Sequence, residues 1–549
     1  MSAGRRYLLI YILFVLLIAA TRIPVLWSSP FIYRGAEEQA RGILPLHLDQ
    51  GLLMPFNMYQ FDEYNGGGMV VGLLAYPFFH FLGPTYLSLK IPALLFSLAL
   101  FTLLFVIAYR FFDRRTAIVL GVMFVFAPAH YLERSLIAFG NHMEVATFVA
   151  AALLLFLIFQ RREKTAGVIP RAGLMLLLGL VSGFGFYFMY DLLSFLVVLV
   201  LMYVATVRRW RFAALDGLCF AAAFYVGFLP WMVFHHDFLV VDYFYHLFRE
   251  PPPDKVGSFN NLGLFVQAVT LNVANWFGAH DLPIGRKQHL PGAVFNALFL
   301  LVFASSYFYL AWRHRGQVID LLRAWRPLSR RALDFSADHA ILPLLVYVPL
   351  HLFVYGTTKY RGAEPLPPTR YLLVLFPVYF LLAAAAVRAL WENGRRLLAA
   401  LLVLAAVVAS FGGNAFYFSG GRGGEPLRRP GYSYQYFMEM FARCYVVRWK
   451  YDYHWPFAER QFPRHEGDYT IGAASGVAFL GGRSIDGELR AAAQGGPQAL
   501  AAFTAGMGIA PRCADKVDPR REQLLRAVVP AGYEPFFDFG RRQICPPPR

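Results

Sequence analysis

The sequence predicts an all-α polytopic membrane protein of about eleven transmembrane helices, with interfacial helices in the first outer loop and a C-terminal extramembrane domain of helical character. Three observations carry that prediction. Of 549 residues 58% are hydrophobic and only 15% charged, and the mean hydropathy is +0.46, whereas soluble chains give roughly a quarter of their residues to charges. Apolar stretches of about 17–25 residues, each long enough to cross a bilayer, recur along the chain. Lysines and arginines gather in alternate loops, as they do on the inner side of a membrane. This composition excludes disordered, collagen-like and disulfide-scaffold classes. The net charge of +17, from 51 Lys and Arg against 34 Asp and Glu, follows from topology; there is no basic stripe beside a recognition fold, so nucleic acid is not a partner.

Arg5 and Arg6 precede an apolar run from Tyr7 to Trp27. The run is long for a signal core and ends in Thr21-Arg22-Ile23-Pro24 without a small-x-small cleavage site, so it reads as a retained first span with the N-terminus inside. Further spans are expected near 88–112, 116–132, 144–160, 172–188, 190–207, 212–234, 292–313, 339–356, 370–388 and 396–418. An odd count places the C-terminal segment outside. The inner loops and span ends then hold about 21 Lys and Arg, from Arg5 through Arg110, Arg161, Arg208 and Arg313 to Arg396, against about 11 in the longer outer loops. Met69 to Gly83 is apolar but short, broken by Pro77 and closed by Gly83-Pro84, and reads as a re-entrant or interfacial helix. The large outer loops are 28–87 and 235–291, so function is expected on the outer side.

Residues 1–418 thus form a transmembrane module and 419–549 an extracytoplasmic domain that opens on Gly420-Gly421-Arg422-Gly423-Gly424. Within it Tyr469-Thr-Ile-Gly472, Phe503-Thr-Ala-Gly506 and Phe537-Asp-Phe-Gly540 recur at a 34-residue interval, a pattern that fits a small helical repeat array or a coincidence in a Gly/Ala-rich stretch. Cys219 lies in a span, while Cys444, Cys513 and Cys545 in the tail allow one disulfide and leave one thiol over. No Cys/His spacing forms a zinc site, and the metal requirement is left open.

Four groups could carry chemistry. Glu37-Glu38 and Asp62-Glu63 put two acidic pairs in one outer loop; carboxylates near low-dielectric lipid can serve as a general base or metal ligands, and equally as solvated charges or helix N-terminal acids. Glu133-Arg134 and Asn141-His142-Met143-Glu144 flank an outer turn, with Glu144 at the mouth of an apolar span, where a buried carboxylate needs a partner such as Arg134. Asn141 and His142 there can hydrogen-bond a hydroxylated ligand, or the group is a structural ion pair and turn. Asp191, between two spans, reaches the same level as a pocket or hairpin residue. Lys359, Arg361, Arg370 and Tyr371 gather cations and rings at the boundary before the tenth span, suited to a phosphate or to snorkelling anchors.

Taken in order, these features resemble a family. The basic N-terminus, one span, a large acidic outer loop, Gly83-Pro84 and Leu89-Lys-Ile-Pro-Ala-Leu-Leu95 are similar to the opening of the polyprenyl-phosphate-sugar-dependent glycosyltransferases of the C superfamily, nearest the protein mannosyltransferase and aminoarabinose transferase type, family 39. Ser135 to Glu144 resembles a Ser-Leu-x-x-x-Gly-x-x-x-Glu turn of bacterial members. Gly179-Leu-Val-Ser-Gly183-Phe-Gly185, Gly227-Phe-Leu-Pro230 and Arg370-Tyr-Leu-Leu-Val-Leu-Phe-Pro377 follow in matching order. The resemblance covers roughly residues 5–400 and leaves the tail outside. It implies an integral-membrane enzyme of a bacterial inner membrane that, on the outer face, moves a sugar from a polyprenyl-phosphate carrier to a hydroxyl-bearing glycan, lipid or protein acceptor with inversion. In that reading the family's catalytic Asp falls on Glu37, with Glu38 beside it. Asp62 and Glu63 position the acceptor or hold a divalent ion if one is used; no other cofactor is implied. Arg370 and Tyr371, with Lys359 or Arg361, take the donor phosphate, and Asn141, His142, Glu144 and Asp191 line the sugar or acceptor pocket. Replacing Asp by Glu moves the carboxylate by about a bond length, a shift that can be costly in rate. A lipid-linked-glycan transporter and a non-catalytic scaffold are the readings from other classes; a transporter calls for broken helix pairs and mid-membrane charges, a scaffold for no intact acidic pair.

Overall fold

A proline decides the first departure from the expected spans. The expected third span, 116–132, is in the computed structural model two helices that part at Ala127-Pro128. Proline brings no N–H, which leaves the Phe124 carbonyl without its helical donor, and it disfavours helical geometry in the residue before it; Arg22 Nη2 donates to Phe124 O at 3.2 Å, and at the break the Ala127 carbonyl accepts from Ser410 Oγ at 2.9 Å and Asn414 Nδ2 at 3.0 Å. A buried carbonyl is thereby satisfied by a distant helix, as a bilayer interior demands.

The structure describes residues 3–27, 41–42, 44–45, 48, 66–83, 86–162, 167–207, 212–235, 290–324, 340–357 and 372–418, with 489–490, 493, 500, 504, 507, 519–535 and 537–538 in the tail. Among them there is no strand; the protein is an all-α polytopic membrane protein. The helices in order are α1 (Ala3–Trp27), α2 (Gly67–Leu82), α3 (Tyr86–Ile107), α4 (Arg114–Val125), α5 (Ala129–Arg134), α6 (Val145–Arg162), α7 (Val168–Phe188), α8 (Leu192–Thr206), α9 (Ala213–His235), α10 (Leu290–Arg313), α11 (Arg315–Ala324), α12 (Leu342–Thr357), α13 (Leu375–Glu392), α14 (Arg396–Phe418) and α15 (Pro519–Ala527). Seven of the described helices are long and apolar enough to cross a membrane. Each of the other expected spans contains a described helix, but α4, α8, α10 and α12 are not among those seven. The expected re-entrant segment is α2, a 16-residue apolar helix with Pro77 inside, ended by Gly83 at φ 82°.

The chain divides into two compact units, one of Met1–Ile32, Asp62–Val70 and Pro92–Arg429, the other of Tyr33–Phe61, Val71–Ile91 and Pro430–Arg549. In the first unit α7 and α9 are zipped by glycines. A Cβ on Gly179 or Gly183 would collide with the carbonyls of Phe220 and Phe224, and one on Gly227 with that of Leu180, so small residues let two backbones touch where lipid offers no hydrophobic drive. The zipper is locked at one end by a buried ion pair: Arg171 Nε donates to Asp216 Oδ1 at 2.8 Å and Oδ2 at 2.9 Å, Tyr203 Oη donates to Oδ2 at 2.6 Å, and the guanidinium lies 5.0 Å from the Phe159 ring. Both partners stand in first helical turns, where the Asp216 carboxylate also meets the positive end of the α9 dipole. A π-turn, Ala108–Phe112, closes α3, and Asp113 caps α4 by accepting from Thr116 N at 2.6 Å and Thr116 Oγ1 at 2.7 Å.

In the second unit Leu489, Leu500, Met507, Leu525 and Phe537 form a buried cluster, with Arg526 bound to Asp538 at 3.0 Å. Only Thr504, Phe537 and Asp538 of the three repeat matches fall among the described residues; Cys444, Cys513 and Cys545 lie outside them, and Cys219 is a free thiol.

Candidate functional site

The site is built on the segment from α5 to the start of α6. After Arg134 the chain turns through Ser135 N to Tyr131 O at 2.8 Å and Phe139 N to Ile137 O at 2.9 Å, then passes Gly140 at φ 69°, the left-handed region that favours glycine. Asn141-x-x-Glu144 then opens α6 in the manner of a capping box. Glu144 reaches back so that Gly140 N donates to Oε1 at 3.0 Å and Asn141 N to Oε2 at 3.3 Å, while Val145 N donates to Asn141 O at 3.0 Å. The sequence left Glu144 between a pocket and a structural role. Its carboxylate is 1% exposed and engaged with backbone amides, and its clearest duty is to hold the turn. Asn141 Oδ1 accepts from His142 N at 2.6 Å.

Three other parts of the first unit pack on this segment. Gly66 N donates to Tyr187 O at 2.8 Å, and a Cβ on Gly66 would meet the Tyr187 ring, one on Gly67 the Gly140 carbonyl and one on Gly140 the Gly68 backbone, so Gly67 and Gly140 let the two backbones touch. The start of α13 packs through Phe376, whose ring lies 5.3 Å from that of Tyr131. Near the far end of α1, Arg22 is fully buried; its Nη2 donates to Phe124 O at 3.2 Å, its guanidinium lies 5.6 Å from the Phe124 ring, and it is within electrostatic reach of the Tyr131 hydroxyl.

Beside this hub, α7 ends and α8 begins. His142 Nδ1 stands 3.7 Å from Asp191 Oδ2, an ion-pairing distance too long for a hydrogen bond. Ser194 Oγ donates to Asp191 O at 2.9 Å and is 2.8 Å from His351 Nδ1. Which of the two donates follows the histidine's tautomer. Tyr347 packs against His351 with the rings tilted at 54° and centroids 5.3 Å apart, so α12 closes this side. Tyr187 is 1% exposed, and its hydroxyl, lying over Gly66, has no hydrogen-bond partner among the described residues.

Of the residues singled out in the sequence, Asn141, His142, Glu144 and Asp191 are thus brought together. Glu37, Glu38, Asp62, Glu63, Lys359, Arg361, Arg370 and Tyr371 lie outside the described residues. Sequence reasoning passed over Arg22, Tyr187, Ser194 and His351. Arg22 carried a usable signal, because an ionisable residue inside an apolar run is a functional-site candidate by default; the other three become notable only through contacts across the bundle. Among the described residues no three His, Cys, Asp or Glu side chains are grouped to hold a metal ion.

Comparisons with protein-family models and with curated proteins return no match. Solved structures of the oligosaccharyltransferase of Archaeoglobus fulgidus are similar to the chain. Its complex with zinc and sulfate aligns at a TM-score of 0.47 and 16% identity over 79% of this chain and 55% of that one. The complex with an inhibitory peptide and a dolichol-phosphate aligns at 0.46 and 15% over 80% and 58%, and the form tethered to an acceptor peptide with the NVT sequon at 0.48 and 15% over 85% and 59%. The chain therefore spans less than two thirds of the length of those neighbours, and likeness at this level assigns it no activity.

Proposed function

We propose that the chain is an integral-membrane glycosyltransferase of the C superfamily, family 39 type, that transfers a sugar from a polyprenyl-phosphate carrier to an acceptor hydroxyl on the outer face of a bacterial inner membrane, with the N-terminus inside. The observation that carries this reading is the convergence on residues 124–144. Arg22 precedes Glu37-Glu38 by fifteen residues, Gly66 follows Asp62-Glu63 at three to four, and Phe376 follows Arg370-Tyr371 at five to six; all three anchors pack on the one segment that also presents Asn141 and His142.

In this reading Glu37 removes the proton of the acceptor hydroxyl as its oxygen attacks the anomeric carbon, the bond to the carrier phosphate breaks, and the sugar inverts. Glu38, Asp62 and Glu63 orient the acceptor, and their hard oxygen donors suit a divalent ion if the reaction uses one. Arg370, with Tyr371 and Lys359 or Arg361, takes up the charge that develops on the leaving phosphate. Asn141, His142 and Asp191 line the sugar pocket on the turn that Glu144 holds.

The test is a panel of polyprenyl-phosphate sugars offered to the purified chain with a lipid-extract acceptor. At least one donor is expected to be consumed, and Arg370→Ala should lower its use by about 100-fold, the worth of roughly 3 kcal/mol of electrostatic assistance. Donor use unchanged in Arg370→Ala, with membrane insertion disturbed, would make Arg370 an interfacial anchor.

A further inference from the structure

The end of the bundle away from the polar hub carries a corner that the transfer reaction does not use. Three of the helices long and apolar enough to cross a membrane finish there: α1 begins its apolar run at Arg5, α3 runs out through the π-turn to Phe112, and α6 ends at Arg162. Ring contacts join them. Tyr7 of α1 stands 5.2 Å from Tyr109 of the π-turn, the Arg114 guanidinium lies 4.3 Å from the Tyr7 ring, and that of Arg161 lies 4.1 Å from the Phe111 ring. At their other ends α1 and α6 meet the hub, through Arg22 and Glu144.

The acids of this corner do not offset its arginines. α1 and α6 contain no Asp or Glu, and the one acid between Ala108 and Thr116 is Asp113. Its Oδ1 accepts from Thr116 N and Oγ1, and its Oδ2 lies 3.7 Å from Arg388 Nε of α13. In sequence, Glu163 beyond α6 is matched by Lys164. Arg5, Arg6, Arg110, Arg114 and Arg161 are exposed, and none of them makes an ion pair among the described residues. Two of these cations are held together against their charge: the Phe111 ring seats Arg161 within electrostatic reach of Arg110, and each opposes the other. Like charges set side by side with no counter-charge between them cost free energy that a bound anion removes.

The level of the corner selects the anion. Arginines and aromatic rings gathered where apolar spans end mark the headgroup layer of a bilayer, and the anions of that layer are lipid phosphates. We propose that Arg110 and Arg161 together bind the phosphodiester of an anionic membrane phospholipid, with Arg5, Arg6 and Arg114 supplying a positive surround. A planar guanidinium gives paired N–H groups to phosphate oxygens. The surround repels the ammonium of a zwitterionic headgroup, so phosphatidylglycerol is preferred to phosphatidylcholine. Both binding arginines are exposed at the bundle surface, and a headgroup reaches them without entering a cavity. The site is separate from the proposed transfer site, and it depends on neither that reaction nor the orientation of the chain.

The test uses the full chain in nanodiscs of phosphatidylcholine with and without phosphatidylglycerol, reading retained lipid by native mass spectrometry after mild delipidation. The wild type should retain phosphatidylglycerol in preference to phosphatidylcholine. The double variant Arg110→Gln, Arg161→Gln should weaken that retention about tenfold or more, as the loss of charge-assisted contacts predicts, and each single variant several-fold. The control removes the same charge from two other exposed arginines, at the starts of α11 and α14: Arg315→Gln, Arg396→Gln should change retention little. Inorganic phosphate should not displace the lipid. Equal retention in the wild type and the Arg110, Arg161 double variant, or an equal loss in the control, would overturn the site in favour of general attraction by basic residues. Displacement by inorganic phosphate would overturn the lipid and assign the corner to a free anion. Retention is read without turnover, so a chain inactive with every sugar donor still tests it.

Discussion

At the scale of single residues, Tyr187 is the most informative. Its hydroxyl is buried over Gly66 without a hydrogen-bond partner among the described residues, and an unsatisfied buried hydroxyl costs about 1–3 kcal/mol. A bound hydroxylated ligand would remove that cost. Tyr187→Phe is therefore expected to raise the stability of the ligand-free chain by about 1 kcal/mol, seen in thermal unfolding, and to weaken sugar-donor or acceptor binding several-fold. Lower stability of the ligand-free variant would show that the hydroxyl already serves the fold. Neither Tyr187 nor His351 could be singled out from the sequence, because an aromatic or a histidine in an apolar run has the same appearance whether it fills a core or faces a ligand. Asn141, His142 and Asp191 were legible because polar residues crowded at a span end stand out against their surroundings. Glu144 was legible as a residue that needs partners, but the identity of those partners, two backbone amides in its own turn, depends on a φ of 69° at Gly140.

At the scale of elements, apolar length placed the helices well, and the departures follow from chemistry that length ignores. Pro128 splits one expected span; the Phe124 carbonyl that loses its helical donor is met by Arg22, and the Ala127 carbonyl at the break by Ser410 and Asn414 far along the chain; only the split was available locally. The glycine spacing of 179, 183 and 227 was read as a family pattern, and the structure gives it a mechanical meaning as the contact line of α7 and α9. The lock on that pair is Arg171 with Asp216, buried at 2% side-chain exposure each. Asp216→Asn would leave the guanidinium buried without its counter-charge, which typically costs about 3–5 kcal/mol. Thermal unfolding in detergent should show a loss of that order, and Tyr203→Phe a much smaller one. A variant Asp216→Asn as stable as the wild type would mean that Arg171 reaches solvent or another acceptor.

At the scale of the whole molecule, the first unit has two chemically different ends. One carries the arginines of the basic loops, several of them set on rings, such as Arg114 on Tyr7 and Arg161 on Phe111. The other carries the polar hub around Gly140, His142 and Asp191, with the anchors of three candidate segments packed on or near it. Alternating charge made the existence of two ends legible in the sequence; which loops share one end of the hub depended on contacts such as Gly67 on Gly140 that no local pattern encodes. The central proposal is base-assisted sugar transfer, with Glu37 as the base. The most direct measurement is the single-turnover rate of sugar transfer from the preferred polyprenyl-phosphate donor by purified wild type and Glu37→Gln, each checked for equal donor binding. The account predicts a fall of about 100- to 10,000-fold with binding intact, the contribution of a general base. An unchanged rate in Glu37→Gln would contradict it.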